Sequence, residues 1–304
     1  MSPRLTKTRQ KLSLFKFEHS HQSLAKEILV DASEIFCQPL NSRVPGCFLG
    51  VVAQADLESL LKRRRVLPGL KARGFENLTW QVDTKDPYEH TLRIYCGHTG
   101  QDHLLIELVL HKTAVVLSPH NETGRFAGKS DVLFVEWLQL QNPLRDFDAN
   151  RPRLPGQRHP GLGLANEVLD FLVDLCKRCG LSGVVAVPGH FHNAVIFSKS
   201  FKYLNTGCEG KLQALQRDLK DYPLAMVSWA IELNCVQNVL SGDYLSWFVD
   251  WQVLGTSGNL RKYFAASDYR EKVSEVSLEN RFQLDEAKFA GEKEKIPRLA
   301  EVII

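Results

Sequence analysis

The stretch DVLFVEWLQL (131–140), followed by RHPGLG (158–163), LANEVLDFLVDLCKRC (164–179) and VVAV (184–187), decides the fold. The first segment is apolar on both faces apart from Glu136 and Gln139, which predicts a central strand covered on both sides. The third has apolar residues at helical spacing, through Ala165, Val168, Leu169, Leu172, Cys176 and Cys179, and stops at Gly180. That predicts a helix over 164–179 with a glycine at its end. The fourth is a short buried strand closed by Pro188-Gly189. Strand, glycine turn, helix, strand is an α/β arrangement. A glycine turn at a helix N-terminus also invites an anion, because unpaired N–H groups and the positive dipole end point at it and no Cβ stands in the way.

Working upstream, 103–117 reads as a long apolar strand, broken near Lys112, and 90–96 alternates with Leu92, Ile94 and Cys96 on one face. The segment 97–102 joins them as a hairpin loop, 78–82 is a further short strand, and 119–129 is a polar loop. Asp56 is expected to cap a helix that starts at Leu57 and ends near Pro68-Gly69. Its basic run, Lys62-Arg63-Arg64-Arg65, reads as a solvated helix end. Further back, 12–17 suits a strand and 23–36 a helix. Between strand and glycine turn, 142–160 carries Pro143, Pro152, Pro155 and Pro160 and no periodicity. It is a long loop of the kind that is often functional.

Downstream, 192–201 is expected to be a helix and 202–204 a strand. The character changes after residue 205. Helices are expected around Leu212, Leu215 and Leu219 and over 224–235, with a turn at Ser241-Gly242-Asp243. Trp229, Trp247 and Trp251 read as core, and a charged helical segment follows Asn259, with disorder expected in part of the last dozen residues.

Composition sets limits around this pattern. The 304 residues are 44% hydrophobic and 24% charged, with a net charge of +3. Disorder throughout is excluded, and near-neutral charge gives no reason to expect nucleic acid. No apolar run approaches membrane-spanning length, so no membrane partner is expected. The basic start is followed by no long apolar stretch, which makes a secretory signal unexpected and a cytoplasmic location the default. The seven cysteines then read as reduced thiols. Cys176 and Cys179 have the spacing of a redox or metal half-site, but both continue the apolar stripe of their helix and read as core.

Arg158-His159-Pro160-Gly161-Leu162-Gly163, set between a strand and a helix, resembles the acyl-CoA signature of the GNAT-type N-acetyltransferase superfamily. Phe134-Val135-Glu136-Trp137 resembles the strand that carries a glutamate base in the histone-acetylating branch. Asn193-Ala194 through Lys199, Phe201 and Tyr203 is similar to the family's last core helix and strand. The resemblance covers roughly 90–205. It implies a GNAT-like mixed central sheet flanked by helices over 1–205, with 206–304 as a smaller C-terminal α+β appendage.

By that resemblance, acetyl-CoA or a related acyl-CoA is the co-substrate, and a small-molecule or peptide amine is the acceptor. Leu138, Leu140, Arg158, His159, Gly161, Leu162, Gly163 and Asn193 would contact coenzyme A. Glu136 would be the general base, with desolvation raising its pKa toward the working range. Where the family often has a proton-donating tyrosine, this sequence has Ser198, a shorter and poorer donor. His190 and His192 follow the 184–187 strand. They fit an acid–base or substrate-contact role, a two-ligand metal half-site, or plain loop residues. No metal is expected. The rival readings are a ligand- or protein-binding module without catalysis, and a metal-dependent hydrolase built on the two histidines.

Overall fold

Residues 46–117 and 128–294 are described by a computed structural model. The strand expected at 12–17, the helix at 23–36, most of the 119–129 loop and nearly all of the last dozen residues lie outside the described residues.

Two short helices come first, α1 (Gln54–Arg63) and α2 (Val66–Ala72). Asp56 does not cap α1. It lies in the first turn, and Ala53 takes the cap position without a side-chain hydrogen bond. The chain does not stop at Pro68-Gly69 either. Pro68 falls in the first turn of α2, where its missing N–H has no helical acceptor to lose. The turn between the two helices is made by Arg65 in the left-handed region. The preceding arginines are not simply solvated. Arg64 forks onto Asp174 through Nε and Nη2, both at 2.5 Å, and Arg63 adds a contact at 3.1 Å. This ion cluster ties α1 to α3 (Ala165–Arg178), which places Asp174 on its flank.

The strands β1 (Leu78–Asp83), β2 (Glu89–Cys96), β3 (Leu104–Leu117) and β4 (Gly128–Leu140) form an antiparallel run. β3 passes Lys112 without a break. After α3 come β5 (Gly183–Ala186), α4 (Phe191–Ser198) and β6 (Lys202–Tyr203). Then follow α5 (Thr206–Asp218), α6 (Leu224–Glu232), β7 (Val236–Asn238), β8 (Gln252–Gly255), α7 (Gly258–Ala265), α8 (Ser267–Leu278), β9 (Phe282–Leu284) and α9 (Glu286–Lys293).

The fold is α/β, with a mixed seven-stranded sheet flanked by helices, in the order β1-β2-β3-β4-β5-β8-β6. β4 and β5 are parallel, while β8 runs antiparallel to both β5 and β6. β8 comes from beyond residue 205 yet sits inside the sheet. β7 and β9 form a separate two-stranded ladder.

Three apolar clusters cover this frame. One sheet face buries Ile94, Leu108, Leu133 and Val184 against Leu57 and Leu61 of α1, Leu70 of α2 and Phe171 and Leu175 of α3. Val132, Phe134, Val185 and Val253, on the other face, meet Leu260, Tyr263, Tyr269 and Val273 of α7 and α8. The third cluster gathers α4, α5, α6 and the β7–β9 ladder around Leu212, Leu215, Trp229 and Ile231. Each fully buried leucine or phenylalanine contributes roughly 1.5–3 kcal/mol. Cys176 is one of these core residues, with its thiol donated to the carbonyls of Gly183 and Leu181. Burial lifts the Cys179 thiol to about 11, so neither sulfur has the lowered pKa that reactive thiols show.

No helix among the described residues is long and apolar enough to cross a membrane.

Candidate functional site

The site begins with a mismatch in strand length. β4 pairs with β5 at only three positions, Leu133–Val184, Phe134–Val185 and Val135–Ala186. β5 then ends, while β4 runs on to Leu140. Along its other edge β4 stays paired with β3, up to Leu140 opposite Ile106. A gap therefore opens between the parallel strands at their C-terminal ends, where ligands of open α/β sheets gather.

A β-bulge lies at the mouth of this gap. Val109 pairs with Trp137 and Leu110 with Val135, leaving Glu136 without an opposite number. The bulge changes which residues face the core: Leu133 and Val135 pack against the α1–α3 cluster before it, Leu138 and Leu140 after it. One inserted residue shifts the two-residue alternation by one step. Glu136 is thus turned out of the apolar faces, and its side chain is 44% exposed.

Backbone direction fills in one wall. The Gln141 N–H donates to Leu105 on the β3 side, and the Asn142 N–H donates to the Pro160 carbonyl on the opposite side. Stepping back by two along an extended strand, the Leu140 and Leu138 amides point away from β3, into the gap. The Leu140 carbonyl lies 3.8 Å from where a Cβ on Gly161 would stand. The glycine turn therefore closes the far end of the opening.

In that turn Gly163 has φ +69°, a left-handed value that suits glycine. The following N–H groups of α3 have no intrahelical acceptors. Arg73, at the end of α2, donates Nη2 to the Gly163 carbonyl at 2.6 Å, and Arg151 donates to the Gly161 carbonyl at 3.4 Å. Arg158 is exposed and His159 half-buried beside them. Sequence reading missed Arg73, which is 90 positions from the carbonyl it holds.

Two titratable groups on the sheet belong together. His111 of β3 is buried, stacks on Phe134 at 4.6 Å and 16°, and brings Nδ1 to 3.8 Å from Glu136 Oε2. Burial pushes the His111 imidazole down to about 4, so near neutral pH it is uncharged and does not hold Glu136 ionised. Partial desolvation by the surrounding protein pushes the Glu136 carboxyl above its ordinary value, with a smaller push from the negative charge of Glu89, and the 44% exposure of the side chain tempers both. His111, like Glu136, is a titratable residue set in an apolar strand.

The segment after β5 forms the opposite wall. His190 is the N-cap residue of α4. Its Nδ1 lies 3.1 Å from Glu232 Oε2 at the end of α6, and its ring stacks on His192 at 5.4 Å and 12°. His192 is 3% exposed with Nδ1 unpartnered, and burial pushes it down to about 3. The long loop comes close here: a Cβ on Gly156 would stand 2.7 Å from His190 Nε2. Asn193 is half-buried on the first turn of α4.

Ser198 is not brought to this wall. It ends α4, about 10 Å along the axis from its start at 1.5 Å per residue. Its hydroxyl donates to the Val195 carbonyl and accepts from Gln216 of α5. Among the described residues, no group of three His, Cys, Asp or Glu side chains is placed to hold a metal ion. A cleft of about 380 Å³ opens beside β1, lined by Phe48, Trp80, Asp83 and Arg93 among others. It lies three strands from β4 and contains no histidine or cysteine, so the acid–base groups described above are elsewhere.

The chain matches no protein-family model and no curated protein sequence.

Proposed function

We propose that this protein transfers an acetyl or related acyl group from an acyl-CoA to an amine, a small molecule or a peptide, on a fold of GNAT type. The observation that carries the reading is the parting of β4 from β5 after Val135 and Ala186, with the bulge at Glu136 in one wall and the Gly161–Gly163 turn at the end. The anionic pyrophosphate suits the N–H groups that open α3 and the guanidinium groups of Arg73, Arg151 and Arg158. The pantetheine arm suits the strand edge, where the Leu138 and Leu140 amides can pair with its own amides and polarise the thioester carbonyl.

In this reading the amine nitrogen attacks the thioester carbon. A C–N bond forms and the C–S bond breaks, with coenzyme A leaving as the thiolate. Glu136, its carboxyl raised by partial desolvation, takes the ammonium proton directly or through water, and the nitrogen gives up its second proton to solvent as the tetrahedral adduct collapses to the amide. A base whose pKa is moved toward the working pH suits that task. A cytoplasmic location belongs to the same proposal.

The test has two stages. A thermal-shift screen against acyl-CoAs should show stabilisation, about 2.7 kcal/mol at 100 times the dissociation constant. Release of the coenzyme A thiol in the presence of an amine panel should follow. No stabilisation by any acyl-CoA would overturn the reading. Binding without thiol release would favour a module that keeps the site but not the chemistry. That second reading draws on Ser198, whose hydroxyl is engaged within the helices and is no substitute for a tyrosine aimed at the thiolate.

A further inference from the structure

We propose that Arg73 is a positioning residue for the anion cradle: its guanidinium ties the end of α2 to the glycine turn and holds Gly163 in the conformation that receives the pyrophosphate. This rests on the acyl-CoA reading above and gives Arg73 a part beyond its charge. The motivating geometry is one side chain bonded to two backbone carbonyls, with Nη1 donating to Gly69 at 2.9 Å and Nη2 to Gly163 at 2.6 Å.

Each carbonyl has its own need of the bond. In a continuing α-helix the Gly69 carbonyl would accept the Arg73 N–H. α2 ends in a tighter turn instead, and that N–H goes to the Leu70 carbonyl at 3.0 Å. The Arg73 side chain takes up the carbonyl that its own backbone left, a recurrent way to close a helix C-terminus. The Gly163 carbonyl belongs to the residue at φ +69°. Glycine leaves such a conformation easily, because φ of either sign is open to it. A bond from outside the turn removes that freedom.

The surroundings fix the bridge in place. α2 lies so close to the start of α3 that a Cβ on Gly69 would stand 2.6 Å from Leu164 Cδ2, and Leu164, the N-cap residue of α3, is fully buried. Further along α3, the bonds of Arg64 and Arg63 to Asp174 fasten α1. The α1–α2 pair is thus fastened to α3 at Asp174 and to the glycine turn at Gly163. Arg151 adds a longer contact, 3.4 Å, to the Gly161 carbonyl. With both glycine carbonyls drawn toward guanidinium groups, the turn offers an anion the N–H groups of Ala165 and Asn166, which are exposed in the first turn of α3 and have no intrahelical acceptors.

Fixing the backbone of one residue in a single well corresponds to roughly 5- to 30-fold in an equilibrium constant. With Arg73 in place, Gly163 is ordered on folding, before the ligand arrives, and affinity rises by about that factor. Arg73→Met removes both bonds. Arg73→Lys keeps the charge without the planar fork.

The experiment uses the full chain. Titration calorimetry gives the affinity for coenzyme A. In the ligand-free protein, 15N relaxation gives the order parameter of the Gly163 amide, whose signal is identified by its loss in Gly163→Ala. Arg73→Met should weaken coenzyme A about tenfold or more and Arg73→Lys about fivefold or more. In both, the Gly163 order parameter should fall from about 0.85 toward 0.6. Asp174→Asn, which loosens α1 and leaves the bridge, should lower the melting temperature with coenzyme A affinity within twofold of wild type. An unchanged order parameter in a folded Arg73→Met protein overturns the proposal. So does wild-type affinity in Arg73→Lys, which would leave charge as the whole effect, or an equal affinity loss in Asp174→Asn, which would mark general destabilisation. If the wild-type protein binds no coenzyme A, the acyl-CoA reading fails, and the order parameter alone then decides whether Arg73 holds the turn.

Discussion

Placing a carboxylate in the glycine turn separates anion binding from folding, because the two glycines differ in backbone geometry. Gly161 is not in the left-handed region, and a Cβ there would meet only the Leu140 carbonyl, at 3.8 Å. Gly161→Asp should therefore fold with little loss. Gly163 sits at φ +69°, which costs a residue with a Cβ about 1–2 kcal/mol. Its Cβ would stand 3.7 Å from Arg73 Nη2, and a carboxylate beside a guanidinium at a helix N-terminus recovers roughly 0.3–1 kcal/mol. Both variants should thus remain folded. Their effect on coenzyme A should be much larger. A carboxylate about 5 Å from one phosphate charge repels it by about 1 kcal/mol in water and about 3 at the lower effective dielectric of a protein surface. Two phosphate charges give about 2–6 kcal/mol, or roughly 30-fold to more than 10⁴-fold in affinity. Isothermal titration with coenzyme A, alongside thermal melts, reads both quantities. A folded Gly161→Asp, Gly163→Asp double variant that binds coenzyme A within threefold of wild type would refute the phosphate cradle.

Further perturbations test the rest of the site and its supports. Glu136→Gln should cost on the order of 10² to 10⁴ in turnover, with the residual rate rising with pH as the amine deprotonates in solution; a wild-type rate at neutral pH would make Glu136 structural. His111→Phe should flatten the loss of stability on acidification. His111 titrates at about 4 in the fold against about 6.5 unfolded, so the unfolded chain gains the proton first and stability falls between those values; denaturant melts at pH 7 and pH 5 measure it. Asp174→Asn should cost about 1–3 kcal/mol at pH 7 by weakening the charged bonds to Arg64 and Arg63. The Arg64 hydrogen bond holds the Asp174 carboxyl below its usual range, so this difference is full near neutral pH and disappears as acid protonates the carboxylate; an equal gap at pH 2 would show that packing is responsible. Replacing at least one of His190 and His192 with Ala should lower turnover tenfold or more with coenzyme A affinity kept, and full activity in both would return them to plain loop residues.

What could be read from the sequence divides by the range of the interaction. β4, α3 and the glycine turn were legible because each is set by local periodicity or by glycine within a dozen residues. Helix starts were less so. Asp56 suits a cap by residue type, but the chain enters α1 two residues earlier, and Leu57, Leu60 and Leu61 fix the buried face whichever residue stands at the N-cap. Pro68-Gly69 reads as a stop only if one long helix is assumed; the left-handed turn at Arg65 starts a new one. The bulge at Glu136 was invisible because it is a property of two strands. Only the register against Val109 and Leu110 shows that one residue is extra.

The largest gap between sequence and structure lies beyond residue 205, where composition suggested a separate appendage. β8 has four residues and no alternation that marks it as a strand, yet it pairs along its length with β5 and holds β6 on its other edge. Its Gln252 is fully buried and donates to the Ala194 carbonyl of α4. The direction of α4, and with it the station of His190 and His192, therefore depends on a strand whose Gln252 comes 58 residues after Ala194. Separations of 76 and 59 residues likewise lie between Arg153 and Pro188 and the tryptophans that hold them. The indole N–H groups of buried Trp229 and half-buried Trp247 need acceptors, and in both cases the acceptor is the carbonyl of a loop that the sheet alone leaves unsupported. Trp229 and Trp247 were legible as core from their type alone. Which loops they hold, and so why the walls of the gap stand where they do, follows only once the chain has closed on itself.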